Sequence, residues 1–566
     1  MMNLKLRLLP LLVAAAGCGL VAWTALGPLV DWPFANAGAG ADESHVADGL
    51  SAAVDRVNRH VEGRWTAEGI PPAEPADELQ VLRRLSLALV GTIPSLEEIR
   101  QFEADDRPSR LERWTSRMLA DDRFGEYFAE RLGVALLGER QNEHPMFRRE
   151  RFVAWLGGEL VRGRPFDEIA RQIIAETGSP TSAPATNFVT AQITQDDQFA
   201  NRLASRTVRA FLGQRIDCAE CHDHPFDDWK QADFQGLAAY FAQARFRTSG
   251  LEDDDDQRLE VEDRSTLAKR VVEPRVPFHD DWVHGDKSRR RQLADWVTHR
   301  ENRRFTRAIA NRVWGLMFGR PFVTPIDDIP DPPETPETDE TAVLDVLAAD
   351  LQAHDVDLRR TITVIALSRP FRLASTHPSL TSLAPDTSRP TAEFNSEEAE
   401  AADEPSNPPA TTWAMFPLIQ LRPEQIFRAY QQTASIQPMH GTNVISRSDR
   451  LIKQNRFFNE FSLIGENEFE ERFAAVPQTV LHMTSRATRE AIAAKPFSVA
   501  GRIAVMAQDD ASCLDACFLV CLTRRPTEEE KSHFLPQLVR SRRNRTRAVE
   551  DILWSLINSP EFLWNH

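Results

Sequence analysis

Six cysteines in 566 residues are too few for the disulfide framework of a small secreted scaffold. Long alternating runs of apolar and polar residues are absent from the first half of the chain, which argues for helices over sheets. Basic residues are outnumbered, with 67 Lys and Arg against 84 Asp and Glu, so the formal charge is −17. Phosphate binding needs a basic face, and this balance argues against nucleic acid as the main partner. The signatures G-x-S-x-G, H-E-x-x-H, the P-loop and G-x-G-x-x-G are all missing, so no motif assigns an enzymatic activity. A chain of this length exceeds one hydrophobic core, and two or more domains follow.

The N-terminus carries a short basic start, Lys5 and Arg7, and then a charge-free run from Leu8 to Val30. Small residues follow at Ala35-Asn36-Ala37-Gly38-Ala39-Gly40-Ala41. Basic start, apolar run and small-residue sites are the parts of a secretory signal. The run is also just long enough to span a bilayer, so residues 1–41 read as a signal peptide or an uncleaved membrane anchor. Lipid attachment at Cys18 is the weaker alternative, because the apolar run continues past it. The expected location is exported: periplasm or cell envelope, with membrane contact through this segment.

Helical punctuation dominates from residue 50. Leu82, Leu85, Leu89 and Val90 form an apolar stripe ending at Gly91, and Ser95 with Glu98 offers a capping box for the next helix. The pattern predicts a helical domain over 42–250. Residues 251–288 read as an acidic linker: Glu252 to Asp256 suggest a solvated turn, and Val271, Val272, Val276 and Phe278 suggest a short strand or two. A second helical domain covers 289–380 and 411–566. Between its parts, residues 381–410 hold one cation, Arg389, against seven acids and read as a disordered, Pro-rich insert. The fold class expected is mainly α, two helical domains with these two inserts. Thr527 with Glu530 is a second capping box. Cys513, Cys517 and Cys521 recur every four residues, which reads as buried thiols on one helical face. The polar clusters Asn311-Arg312 and Asp327-Asp328 read as caps or a structural ion pair.

The segment that carries chemistry is Cys218-Ala219-Glu220-Cys221-His222. Two cysteines three residues apart can each add through sulfur to a haem vinyl group, and the following histidine then ligates the iron. On this reading Cys218 and Cys221 form the thioethers of haem c and His222 is the proximal metal ligand. Two other readings stay open: a different metal such as zinc, using the thiolates and nearby histidines, and a disulfide. Met439, His440, His482, Met483 and His144 are candidates for a sixth iron ligand, and no spacing selects one. His224 reads as a residue that orients or shields the site.

Several short motifs extend this picture. They are Arg83-Arg84-Leu85-Ser86-Leu87, Gly91-Thr92-Ile93-Pro94, Phe211-Leu212-Gly213 leading into the Cys-x-x-Cys-His, Asn302-Arg303-Arg304-Phe305, Asn311-Arg312-Val313-Trp314, Phe318-Gly319-Arg320 and Pro325-Ile326-Asp327-Asp328. The endings Leu522-Thr523-Arg524-Arg525-Pro526-Thr527 and Asn558-Ser559-Pro560-Glu561-Phe562 complete them. Together they resemble the planctomycete cytochrome-c-like exported proteins built from two consecutive domains of unknown function. The resemblance implies an exported or envelope protein with a haem-type motif and no established activity. This chain has Phe128-Ala129-Glu130 where such proteins tend to show His-Trp. The leading expectation is an exported c-type haem protein with an electron-transfer or redox role, served by an unidentified redox partner. Its rival is a non-catalytic envelope or surface protein whose Cys-x-x-Cys-His site is a disulfide or binds another metal.

Overall fold

The computed structural model describes residues 49–138, 147–193, 199–225, 228–262, 268–285, 287–332, 342–377, 411–439, 457, 469, 485–494, 498–541 and 544–566. The N-terminal signal or anchor, Cys18, His144, His440, His482, Met483 and the 381–410 insert lie outside them. The described chain is mainly helical with small two-stranded sheets, as the apolar spacing predicts. No described helix is long and apolar enough to cross a membrane.

Helix α1 (Leu50–Glu68) leads into α2 (Glu78–Leu89), α3 (Leu96–Ala104), α4 (Arg110–Leu119) and α5 (Asp122–Leu137). The starts of these helices follow local chemistry. Asp77 accepts from the Leu79 amide at the head of α2, and Ser95 with Glu98 closes the expected capping box on α3. Helix α6 (Arg149–Val161) packs along α5 at a close crossing: a Cβ on Gly125 would meet the Gly157 carbonyl at 2.7 Å. Next come α7 (Phe166–Ala175), α8 (Phe199–Thr207) and α9 (Gln231–Ala239).

Two antiparallel hairpins follow, β1 (Ala244–Arg247) with β2 (Gly250–Asp253), and β3 (Leu259–Glu262) with β4 (Lys269–Val272). The acidic run is therefore not one solvated turn. Glu252 and Asp253 belong to β2, and Asp253 accepts from the wholly buried Arg290 at 2.7 Å. The partner that makes this an ordered strand end lies 37 residues downstream, beyond any local pattern.

The second block opens with α10 (Arg289–Val297) and the long α11 (Arg303–Phe318), then α12 (Ala342–Ala353) and α13 (Leu358–Leu367). Strand β5 (Ile419–Gln420) precedes α14 (Pro423–Thr433). The C-terminal part holds α15 (Arg486–Ile492), α16 (Val499–Met506), α17 (Asp510–Leu522), α18 (Glu528–Arg540) and α19 (Arg545–Ile557). The chain closes with β6 (Trp564–Asn565) paired to β5. Thr527 and Glu530 cap α18 reciprocally, as their spacing predicts.

One cluster of buried apolar side chains runs from Leu50 to Phe562, through both halves of the chain. Two buried arginines on α2 stitch the halves together. Arg83 donates to the carbonyls of Cys521 and Phe562, at 3.0 and 3.2 Å. Arg84 donates to the carbonyls of Phe371, Leu373 and His566, and its guanidinium stacks 3.9 Å from the Phe416 ring centre. Burial pulls both guanidinium pKa values down, to about 10 and about 9. Carbonyl dipoles offset much of the cost of burying these charges, and at Arg83 the Glu561 carboxylate adds to this.

Candidate functional site

The Cys-x-x-Cys-His segment sits on a short connection whose approach is tightly built. Helix α8 continues into a π-helical turn at Val208–Leu212, a departure from regular geometry often found beside functional sites. Gly213 then adopts φ +67, a left-handed conformation that reverses the chain without steric cost. Ile216 and Ala219 are fully buried and pin the segment to the core. A single 3-10 turn, Asp217–Glu220, holds Cys218 and leads directly into Cys221 and His222.

On this turn Cys218, Cys221 and His222 are all exposed, and neither cysteine is in a disulfide. The turn is held from beneath by polar side chains. Asn201 of α8 donates to the Glu220 carboxylate at 2.9 Å. Gln231, at the head of α9, donates through its side-chain amide to the Glu220 and Cys221 carbonyls, and through its backbone to Asp223. The His224 amide donates to the Trp229 carbonyl at 2.8 Å, so its backbone closes the loop after the motif. Met439, the one described candidate for a sixth iron ligand, is exposed beyond α14.

The tautomer of His222 follows from its hydrogen bond. Its Nδ1 lies 2.7 Å from the Asp223 carbonyl oxygen, which can only accept. Nδ1 therefore carries a proton, so in the neutral ring Nε2 is the nitrogen that can ligate a metal. No described residue pairs with Nε2. Among the described residues, no three His, Cys, Asp or Glu side chains converge closely enough to hold one ion.

Support also reaches the turn from the second half of the chain. The Ile329 amide donates to the Gly213 carbonyl at 2.8 Å. Asp327 accepts from Arg215 at 2.6 Å and faces Arg209 at 3.3 Å, while Arg209 also pairs with Asp217 of the motif turn. The bond to Asp327 raises the Arg215 pKa further. Gln214 donates to Asp331, and Arg312 of α11 donates to the Ala210 carbonyl inside the π-helical turn. Asn311 satisfies Val323 in both directions. The two polar clusters are thus structural, as their residue types suggest, but their shared purpose is to fix the motif's platform. Sequence reasoning missed that the Phe211-Leu212-Gly213 and Pro325-Ile326-Asp327-Asp328 stretches meet.

Residues 56–246 match the family model PSCyt2, described as Protein of unknown function (DUF1549). Residues 289–538 match PSD1, described as Protein of unknown function (DUF1553). The chain carries two consecutive domains of unknown function. The motif lies in the PSCyt2 domain, close to its C-terminal end, and the 327–331 clamp lies in the PSD1 domain. No curated protein and no solved structure matches the chain.

Proposed function

We propose that the Cys218–His222 turn is a surface attachment site for c-type haem, and that the chain is an exported electron-transfer or redox protein of the planctomycete cytochrome-c-like kind. The observation that carries this reading is the orientation of His222: Nδ1–H is spent on the Asp223 carbonyl, so Nε2 is the ring nitrogen that can ligate, on a loop that also exposes Cys218 and Cys221. The donor set fits the group. Cys218 and Cys221 would hold the porphyrin edge through thioethers, and His222 would be the proximal ligand. A bound haem would supply a one-electron couple at this turn.

The residues bordering the turn are Asn201, Asp217, Glu220, Asp223 and Gln231. These polar residues would border a haem held here, and such polar, solvent-accessible surroundings would favour a low reduction potential. The carboxylates act in the same direction by stabilising the oxidised, more positive iron.

The test is an alkaline pyridine haemochrome spectrum on protein matured with haem-attachment machinery, beside a Cys218→Ala/Cys221→Ala variant. Haem that resists acid-acetone extraction in the parent and is lost in the variant is the expected result. A colourless parent sinks the reading and turns attention to zinc content and to a Cys218–Cys221 disulfide.

A further inference from the structure

The seam between the two halves of the chain holds a cavity of about 350 Å³ that shares no residue with the Cys-x-x-Cys-His turn. One wall is backbone pairing across that seam. The Ala76 amide donates to the Arg372 carbonyl at 2.8 Å, and the Ala374 amide donates to the Glu74 carbonyl at 2.7 Å. Val81 of α2, Phe102 of α3 and Leu373 are buried and give the cavity an apolar floor. Leu111 of α4 and Leu367, the last residue of α13, extend it. The volume lies at the lower end of the range for small-molecule sites, about 300–1,000 Å³, and such sites favour domain interfaces.

Asn58, Glu78, Arg369 and Arg372 are the polar side chains of the lining. Glu78 pairs with Arg110, whose guanidinium lies over the Phe102 ring. Arg369 pairs with Glu62 at 2.6 Å. Those two charges are therefore neutralised locally. Arg372 is not: it ends the 3-10 turn Pro370–Arg372, is exposed, and makes only backbone hydrogen bonds among the described residues. The Arg369 amide donates to Asn58 Oδ1 at 2.7 Å, so the group Asn58 has left to give is its Nδ2–H donor. The cavity thus combines an apolar floor, spare donors and one uncompensated positive charge.

We propose that this cavity binds a small monocarboxylate with an apolar body, and that Arg372 anchors the carboxylate. The proposal is independent of the haem reading. A guanidinium matches a carboxylate through two parallel hydrogen bonds, a geometry that an ammonium or a hydroxyl ligand does not use. The hydrocarbon part leaves water for Val81, Phe102 and Leu373. A dicarboxylate of the same length would set its second charge against that floor, where no cation meets it. Walls drawn from both halves mean that the ligand binds the joined chain alone, so it should also raise the melting temperature.

The experiment titrates the full chain with sodium octanoate by calorimetry, beside octan-1-ol, octylammonium, octanedioate and acetate. Octanoate should bind once per chain, and each of the others more weakly. Arg372→Gln should weaken octanoate about tenfold, the size of a hydrogen bond between charged groups, and leave octan-1-ol unchanged. Its side chain is exposed, so the melting temperature without ligand should match the parent. Ala76→Leu adds bulk within the lining and should weaken octanoate and octan-1-ol together. Octan-1-ol binding as tightly as octanoate, octanoate affinity unchanged in Arg372→Gln, or no saturable octanoate binding in the millimolar range overturns the proposal.

Discussion

A side chain on Gly213 would lie 2.7 Å from Ile329 and 3.1 Å from Ala308, in a backbone conformation that L-residues rarely adopt. Both penalties fall at one residue, and its carbonyl is the acceptor for the Ile329 amide. Gly213→Ala is expected to cost about 2–4 kcal/mol from left-handed strain plus overpacking. The check is a urea midpoint together with amide exchange at residues 214–222, which should quicken more than exchange in α1. A midpoint within error of the parent would show that the clamp from 327–331 yields freely. The contrast with His222 is instructive. Its motif was legible from five consecutive residues, because a Cys-x-x-Cys-His pattern is a local code. Gly213 carried no such signal, since its demand for a bare Cα comes from side chains 95 and 116 positions away, at Ala308 and Ile329.

Among elements, the capping boxes on α3 and α18 were readable because cap and partner lie three residues apart. The ladder around the C-terminal strand was not. Arg524, just after α17, donates to Glu530 and to Glu561, joining α18 to the final turn. Burial pushes the Glu561 carboxyl up, but bonds from Arg524 and His566 outweigh it and hold the pKa at about 2, against an ordinary 4.5. The unfolded chain therefore takes up this proton first. The contribution is full above about pH 4.5 and is lost as pH falls toward 2, and the difference corresponds to about 3 kcal/mol. Glu561→Gln should lower the urea midpoint at pH 6, and its gap to the parent should narrow as the pH drops through 4 to 2. A gap of constant size across that range would remove Glu561 from the acid response. The two stretches that Arg524 and Glu561 occupy were each visible as motifs. Their pairing was not, since a spacing of 37 residues has no periodic signature.

At the scale of the whole molecule, two family models cover the chain, yet one buried cluster runs through both. Arg83 and Arg84 of the PSCyt2 domain spend their donors on carbonyls of Phe371, Leu373, Cys521, Phe562 and His566. Separating the halves would leave those buried guanidinium groups unmet, at several kcal/mol. Calorimetry should therefore find one cooperative unfolding transition, with the calorimetric and van't Hoff enthalpies equal within error. Two resolved transitions would mean that the domains hold together only weakly. The helical class was legible at this scale from the apolar spacing alone. The shared core was not, because composition reports how much apolar surface must be buried and not what lies against it.

The clamp on the Cys-x-x-Cys-His turn also imposes an order of events. Arg215 and Asp327 are 112 residues apart in sequence, and Gln214 and Asp331 are 117 apart. A ribosome adding about 5–20 residues per second needs roughly 6–23 s to cover that distance. During that interval the thiols at 218 and 221 are already made, while the groups that will hold their turn do not yet exist. Any covalent group installed in that window meets a pliant loop, and one installed later meets a finished mount.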